Sequence, residues 1–583
     1  MSLNDYYLKE LQALRTLGVE FSHKNPALST FLARKGQDPD VERLLEGFSF
    51  LTGRLRQYID EELPEVSHTL AQLLWPNFLR TVPSYSILEF EPLTGEGVID
   101  VPKGEEVMAI HKEQNEQAIF TTCYKTEVLP LSIEDVRYHT HGSKSFFEID
   151  FKTIGKKPLS DLEIDKLRLY VGNNGHLSEN IYLYFSNYVE TIEVDVGRQN
   201  EFREITDFKL KPVGFSDDEN ILPHTKNVFR GYILLQEFFC FREKFYFFDL
   251  ENFSLKKRFP DKRLSKSDDF TLRIVLSEKI KITDKINKNN IRINCTPVVN
   301  IFESEAEPIR KKFDDEFEVI PASYSYENCE VYSILKAQAW DSRLNKYHKY
   351  LPFESFEHVG NDVEYYYTRV KLSSDESRTK TYVGFISNDL YIQEEDITVS
   401  FDILATNRNL PSTLSLGDIC NQTARSKVSK VKFKNITIPT KSHIPPLKKD
   451  FMWRIVSSMS LNYLAIKDIE SLRNLIETYD FIGINDLLQK KHTESLLQGL
   501  TRIAHKPDSM ILNGLPVRGV NTILNMDYKR FGTAGEAYLF ASVLSEFFSM
   551  WTTANSYNKL DVILDQKAHF SFRPKTKIVS KIF

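Results

Sequence analysis

The chain has 583 residues and carries 75 Lys and Arg against 81 Asp and Glu, a formal net charge of -6. That balance excludes a nucleic-acid binder, which needs a basic surface or stripe. With 41% hydrophobic and 27% charged residues, 41 Phe and 27 Tyr, it is a folded chain of about three or four domains, rich in β-structure and in aromatic side chains of the kind interface cores favour.

The N-terminal region reads as helical. Residues 5–23 place Tyr7, Leu11, Leu14, Gly18 and Phe21 at four-three spacing, and Asn25-Pro26 starts a short second helix. A long helix over Asp38–Glu62 follows. Asp38 can cap the free amides of its first turn, Pro39 fits the first helical position, and Pro64 ends the run. Val41, Leu44, Phe48, Leu51, Leu55 and Tyr58 recur at alternating three-four spacing and share one stripe. Arg43, Glu46, Arg54, Arg56 and Asp60 face away from it. A further helix, about 65–75, carries Val66, Leu70, Leu73 and Leu74 and stops at Pro76. Full burial is worth about 2 kcal/mol per side chain, so the stripe is worth on the order of 10 kcal/mol gross. It is the seam of a helix bundle, closed within this chain or shared with another subunit. A core built from residues 1–82 alone would be small, which favours the shared seam.

Leu79–Ser84, with Pro83, reads as a hinge into the next domain. From Tyr85 the period changes to two. SILEFEP, VMAI, AIFTTCY, FFEIDFKT, IYLYF and TIEVDV are predicted strands between Gly, Pro, Asn and Asp turns. GNNG at Gly172–Gly175 is a turn, with no lysine-serine pair and no helix start after it to make a phosphate loop. Gly231–Phe253 begins like an apolar helix, ends like a buried strand, and is assigned to the core. The basic stretch Lys256–Lys266, followed at once by Asp268 and Asp269, reads as a solvated loop. β-character resumes after residue 270 and lasts to about 440. Ile438–Leu447 is a second linker. Beyond it, WRIVSSMSLNYLAI, IESLRNLIETY and DLLQKKHTESLLQGL are helical, MILNGLPVRGVNTILNM is a strand pair around a Gly514–Gly519 turn, residues 535–551 form an apolar helix, and the last 25 residues alternate like strands. The predicted fold class is α+β multidomain: a helical bundle segment over 1–82, a β-rich middle of two subdomains over 83–440, and an α+β C-terminal domain over 441–583.

Catalytic and metal-binding patterns are missing. The sequence has no GxSxG, HExxH, P-loop or GxGxxG. His139 and His141 would share one strand face, but no carboxylate or cysteine lies beside them, and no metal is assigned. The five cysteines are far apart and form no CxxC, the usage of free thiols in a reducing compartment. No apolar run reaches the roughly 18 residues of a membrane span, and MSLNDYYLKEL has no apolar signal core. A cytoplasmic protein without direct membrane insertion is expected. No catalytic or cofactor-binding residue is assigned.

Several long blocks resemble one family. DPDVERLLEGFSFLTGRL, then ELPEVSHTLAQLLWPNFLRTVPSYSILEFEP, is similar to the N-terminal signature of the TssF family of type VI secretion baseplate subunits, also called VasA or ImpG. YYLKELQALRTLGVEFSHKNPAL, LLQEFFCFREKFYFF (234–248), TNRNLP (406–411), WRIVSSMSLNYLAI (453–466) and GVNTILNMDYKRFGTAGEAYLFASVLSEFFSMWTTANSY fit the same family, in family order from residue 6 to 557. Arg242 stands where a proline is usual and Ala405 where a cysteine is usual.

The resemblance implies a non-enzymatic scaffold like the wedge proteins of contractile phage baseplates. Two copies would pair with one TssG-type subunit through a shared helical core. The wedge would also meet a TssK adaptor, a TssE sheath initiator and the VgrG spike hub. Six wedges would ring the spike, dock on the membrane complex, and template tube and sheath. The candidate interface residues are then Tyr7, Leu11, Leu14, Val41, Leu44, Phe48, Leu51, Leu55 and Tyr58. The alternative class is a cytosolic β-rich binding or carbohydrate-processing protein, with a deep cleft and paired carboxylates.

Overall fold

The structure is a computed structural model. It describes residues 75–447 and 468–576 apart from short stretches, and within 1–74 only residues 7–8, 11–14, 43–44, 46–52, 54 and 68–73. The chain divides into two compact units, Met1–Pro76 with Leu447–Met459, and Asn77–Pro446 with Ser460–Phe583.

In the first unit the described residues of 7–14, 43–54 and 68–73 are helical, as their periodicity requires. The Asn25-Pro26 helix and WRIVSSMSLNYLAI lie outside the described residues.

The second unit is strand-rich. Tyr85–Pro92 lies inside a six-stranded sheet, antiparallel to Cys295–Val299 on one side and Val431–Asn435 on the other, with Leu88 opposite both Thr296 and Asn435. Leu88, Phe90, Phe120, Val298 and Leu414 belong to its apolar core. A five-stranded antiparallel sheet is centred on Asp269–Leu276, between Val189–Val196 and Lys144–Thr153. An eight-stranded sheet occupies residues 302–406, and buries Val331, Val383, Phe401 and Ile403. At the C-terminal end, Leu500–Leu512 and Leu515–Met526 form a long hairpin, and the second of these strands runs parallel to Tyr557–Leu564.

The helices beside these sheets include α1 (Gly175–Asn187), α2 (Arg230–Cys240), α3 (Ile469–Glu477), α4 (Phe481–Asn485), α5 (Leu487–Gln498) and α6 (Ala534–Ser549). The carboxylates of Asp468, Asp480 and Asp486 cap α3, α4 and α5 by accepting from first-turn amides. α6 packs on α1 and α2. The first of these approaches is close: a Cβ on Gly535 would sit 2.0 Å from the Glu179 carbonyl oxygen.

The structure corrects the sequence reading at five places. IYLYF is helix rather than strand: it lies in α1, where Leu177, Ile181 and Phe185 are buried at a spacing of four. Five adjacent apolar residues carry no alternation, so their period was ambiguous. Burial decides it, with the Tyr182 ring 5.3 Å from Phe248 of the neighbouring sheet and 6.1 Å from Tyr538 of α6. It follows that a helix does start at the end of GNNG, at Gly175. The Leu79–Ser84 hinge is mostly buried and pinned, because Val82 exchanges both backbone hydrogen bonds with His443, at 2.8 and 2.9 Å, so the two predicted linkers pair with each other. The C-terminal hairpin turns at Gly514, and Gly519 is already inside the second strand. Finally, Lys256–Lys266 is not simply solvated. Arg263, only 12% exposed, bonds Asp195 at 2.9 Å and Glu201 at 2.6 Å, and Arg258 pairs with Asp207. Gly231–Phe253 behaves as read, α2 followed after a tight turn by the strand Phe247–Glu251.

Candidate partner interface and a buried charge cluster

Three of the nine candidate interface residues are presented to solvent. In the helical stretch 43–54, Leu44 is 74% exposed, Phe48 56% and Leu51 65%, while Ser49 between them is fully buried. Apart from Ser49 and the half-buried Thr52, the described residues of this stretch are exposed, so its large apolar side chains stand open to solvent beside the charged ones. Thr52 hydrogen-bonds back to the Phe48 carbonyl at 2.8 Å and adds no polar cover. Leu11 is buried, and Tyr7 and Leu14 are half-buried. Val41, Leu55 and Tyr58 lie outside the described residues.

In the second unit, titratable groups converge around Arg242. Its Nη1 donates to Glu536 Oε1 at 2.6 Å, and Glu179 Oε1 lies 3.9 Å away. His492 Nε2 is 2.8 Å from the same Glu536 oxygen, and Glu536 Oε2 accepts the Gly532 amide at 2.8 Å. Thr533 caps α6 by accepting the Glu536 amide, and donates its own proton to Glu179 Oε2 at 2.7 Å. Against burial, which would raise it, the hydrogen bond from His492 and the Arg242 charge hold the Glu536 carboxyl at about 2. Burial and the neighbouring Glu536 charge push Glu179 the other way. Both oxygens of Glu536 are thus taken by protein groups, whereas Glu179 is hydrogen-bonded through one oxygen only, with His176 3.6 Å from that same oxygen. The cluster ties α6 to α1, α5 and the turn after α2.

A second buried pair joins α2 to the turn that follows it. The Lys244 ammonium contacts the Glu237 carboxylate with both side chains fully buried. Glu237 Oε1 also accepts the Ile221 and Leu222 amides at 2.7 and 3.0 Å. Burial lowers the Lys244 amine, opposed by Glu237.

His139 lies on the strand Leu131–His141 with Nε2 3.6 Å from Glu148, and His141 is exposed. Among the described residues no group of three or more His, Cys, Asp or Glu is arranged to hold a metal. Cys123, Cys240, Cys295 and Cys329 are buried free thiols and Cys420 is exposed. Sequence reading missed the Arg242 cluster because its members come from separate elements. The one local signal was Thr533-Ala534-Gly535-Glu536, the spacing of a capping box.

Comparison with known proteins gives one consistent answer. The chain is 23% identical over 621 residues to the type VI secretion system component TssF1 of Pseudomonas aeruginosa, covering 96% of each. It superposes with a TM-score of 0.78 and 27% identity on a chain of the type VI secretion TssK-TssF-TssG baseplate subcomplex solved by cryo-electron microscopy, covering 92% of this chain and 99% of that one. A chain of a second solved structure, the baseplate complex from the type VI secretion system, shares the fold at a TM-score of 0.64 and 24% identity, with 99% of both chains covered. The model of the family described as type VI secretion system, TssF, matches residues 1–577, and on that whole-chain match the protein belongs to the TssF family.

Proposed function

We propose that this chain acts as the structural TssF-type subunit of a baseplate wedge, two copies pairing with one TssG-type subunit through the helices of residues 1–82. On this reading 83–440 and 441–583 form the body that meets the TssK adaptor, the TssE sheath initiator and the VgrG spike hub. The observation that carries the reading is the outward face of Leu44, Phe48 and Leu51 on one helix. Such a face, stable in water only when covered, is what an obligate subunit presents. The similarity to a chain of the TssK-TssF-TssG subcomplex supports the partner classes.

Work in this reading comes from sheath contraction, and the subunit contributes geometry with no catalytic step of its own. It assembles at the cytoplasmic face of the inner membrane through the membrane complex; among the described residues no helix is long and apolar enough to cross a bilayer. The test is light scattering with size exclusion on this chain, alone and co-expressed with TssG- and TssK-type subunits. A complex with two copies of this chain to one TssG-type subunit is expected. A clean monomer that ignores both partners overturns the reading.

A further inference from the structure

The Arg242 cluster lies behind a cleft of about 580 Å³ that the wedge reading does not use. Its wall is aromatic, with Tyr170, Phe241 and Tyr246 among the lining residues. Its rim is aliphatic and wet: Leu416 is 59% exposed and Ile438 63%. Across from them α5 lines the cleft with Gln489 and His492. Leu488, 79% exposed and four residues before His492, extends that same helix face.

The charge inside is unbalanced. Glu179 and Glu243 both line the cleft, and the guanidinium beside them, Arg242, is already bonded to Glu536. Glu243 is half-buried, and burial pushes its carboxyl up against the opposing charge of Arg242, which is bonded to Glu536. Burying a carboxylate beside a cation that is already bonded to another carboxylate is costly. Two polar groups of the wall are also unspent. Tyr170, 1% exposed, keeps its hydroxyl buried without a hydrogen-bond partner, with Glu243 the leading charge acting on it. Arg242 Nη2 is buried and unpartnered as well.

We infer that this cleft docks an extended segment of a partner protein that presents one Lys or Arg between aliphatic residues. The cation meets Glu243 and Glu179. The flanking aliphatics cover Leu416, Ile438 and Leu488. An acidic segment would set carboxylate against carboxylate, and a wholly apolar one would cover Glu243 without giving it a cation of its own. The inference concerns the second unit and does not depend on the Leu44–Leu51 face.

The probe is a positional-scanning library of acetylated heptapeptides, bound to the immobilised full-length chain. Selection of Lys or Arg at one position and of Leu, Ile or Val beside it is expected, and should weaken as salt is raised. Glu243→Gln should abolish the basic selection, costing the best peptide about tenfold in affinity. Leu488→Ser should weaken the aliphatic selection and spare the basic one. Both variants should keep the wild-type melting temperature and the wild-type pairing with the TssG-type subunit, which separates this site from the wedge interface. A library that selects nothing, an acidic residue, or aliphatics alone overturns the inference, as does basic selection that survives in Glu243→Gln.

Discussion

Asn300 and Asn407, 107 residues apart, hold one another across the junction of two sheets. The Asn300 Nδ2 donates to Asn407 Oδ1 at 2.8 Å, and the Asn407 amide donates back to Asn300 Oδ1 at 2.7 Å. Both then grip one residue of the six-stranded sheet: Ile119 donates its amide to Asn407 Oδ1 at 2.9 Å, and its carbonyl accepts from Asn300 Nδ2 at 2.6 Å. Asn300 and Asn407 stand at the entry to and the exit from the eight-stranded sheet, and both are buried. The side chains do the work of a missing ladder bond where the strands change sheets.

Replacing Asn407 by Leu leaves the Ile119 amide and one Asn300 donor buried without an acceptor. Each such group costs about 1–3 kcal/mol, so a loss of about 3 kcal/mol is expected. Hydrogen exchange over residues 117–122 and 295–305 should rise first, because the variant opens the junction before it melts either sheet. Unchanged protection of these segments would refute the role given to the pair.

The approach of α6 to α1 depends on Gly535. A Cβ there would meet the Glu179 carbonyl oxygen at 2.0 Å and the Asn180 amide nitrogen at 2.6 Å. Backbone on both sides cannot yield, so Gly535→Ala forces the helices apart and should cost about 3 kcal/mol, at the upper end for overpacking. Gly514→Ala, at a hairpin tip with nothing within 4 Å but with φ at +80°, should cost about 1 kcal/mol through backbone strain alone. Thermal denaturation of the two variants checks the order.

The Arg242 cluster predicts an acid limb. Glu536 titrates near 4.5 when unfolded and at about 2 in the fold. A depressed carboxyl adds stability that is complete above the unfolded value and is lost as pH falls from 4.5 toward 2. Glu536→Gln should therefore be less stable than the parent at pH 7, by about 3 kcal/mol since it leaves Arg242 buried with its partner gone. The gap should narrow as pH falls below 4.5 and close near pH 2. Glu179, raised by burial and by Glu536, carries the opposite sign. Glu179→Gln should be neutral or stabilising at pH 7, with its advantage shrinking as the pH is lowered. Melting temperature against pH for the three proteins decides this.

The exposed helix face predicts a separation of stability from assembly. Leu51→Asp and Phe48→Ser replace side chains that are 65% and 56% exposed, and should move stability by no more than about 0.5 kcal/mol. Both should abolish co-purification of the TssG-type subunit. A well-folded Leu51→Asp protein that recovers its partner at wild-type yield would remove this face from the interface.

Local chemistry made much of the molecule readable. The alternation in SILEFEP specified a strand, and the helical pattern of DLLQKKHTESLLQGL specified α5. The two halves of Gly231–Phe253 separated correctly because the helical period and the strand-forming Phe-Tyr-Phe-Phe run lie in different segments. The stripe of Leu44, Phe48 and Leu51 was also visible, since helical spacing sets which side chains share a face. Whether that face points inward or outward depends on what else lies against the helix, and only the folded unit showed it exposed. IYLYF became helix because α6 and a sheet strand bury it from two sides. Arg242 and Glu536 meet across 294 residues, Asn300 and Asn407 across 107, and Val82 and His443 close what looked like two separate linkers. Periodicity and capping are set by interactions within a few residues, so the sequence carries them openly. Which distant segments come together is decided by the shared burial of whole elements, and no local pattern encodes it.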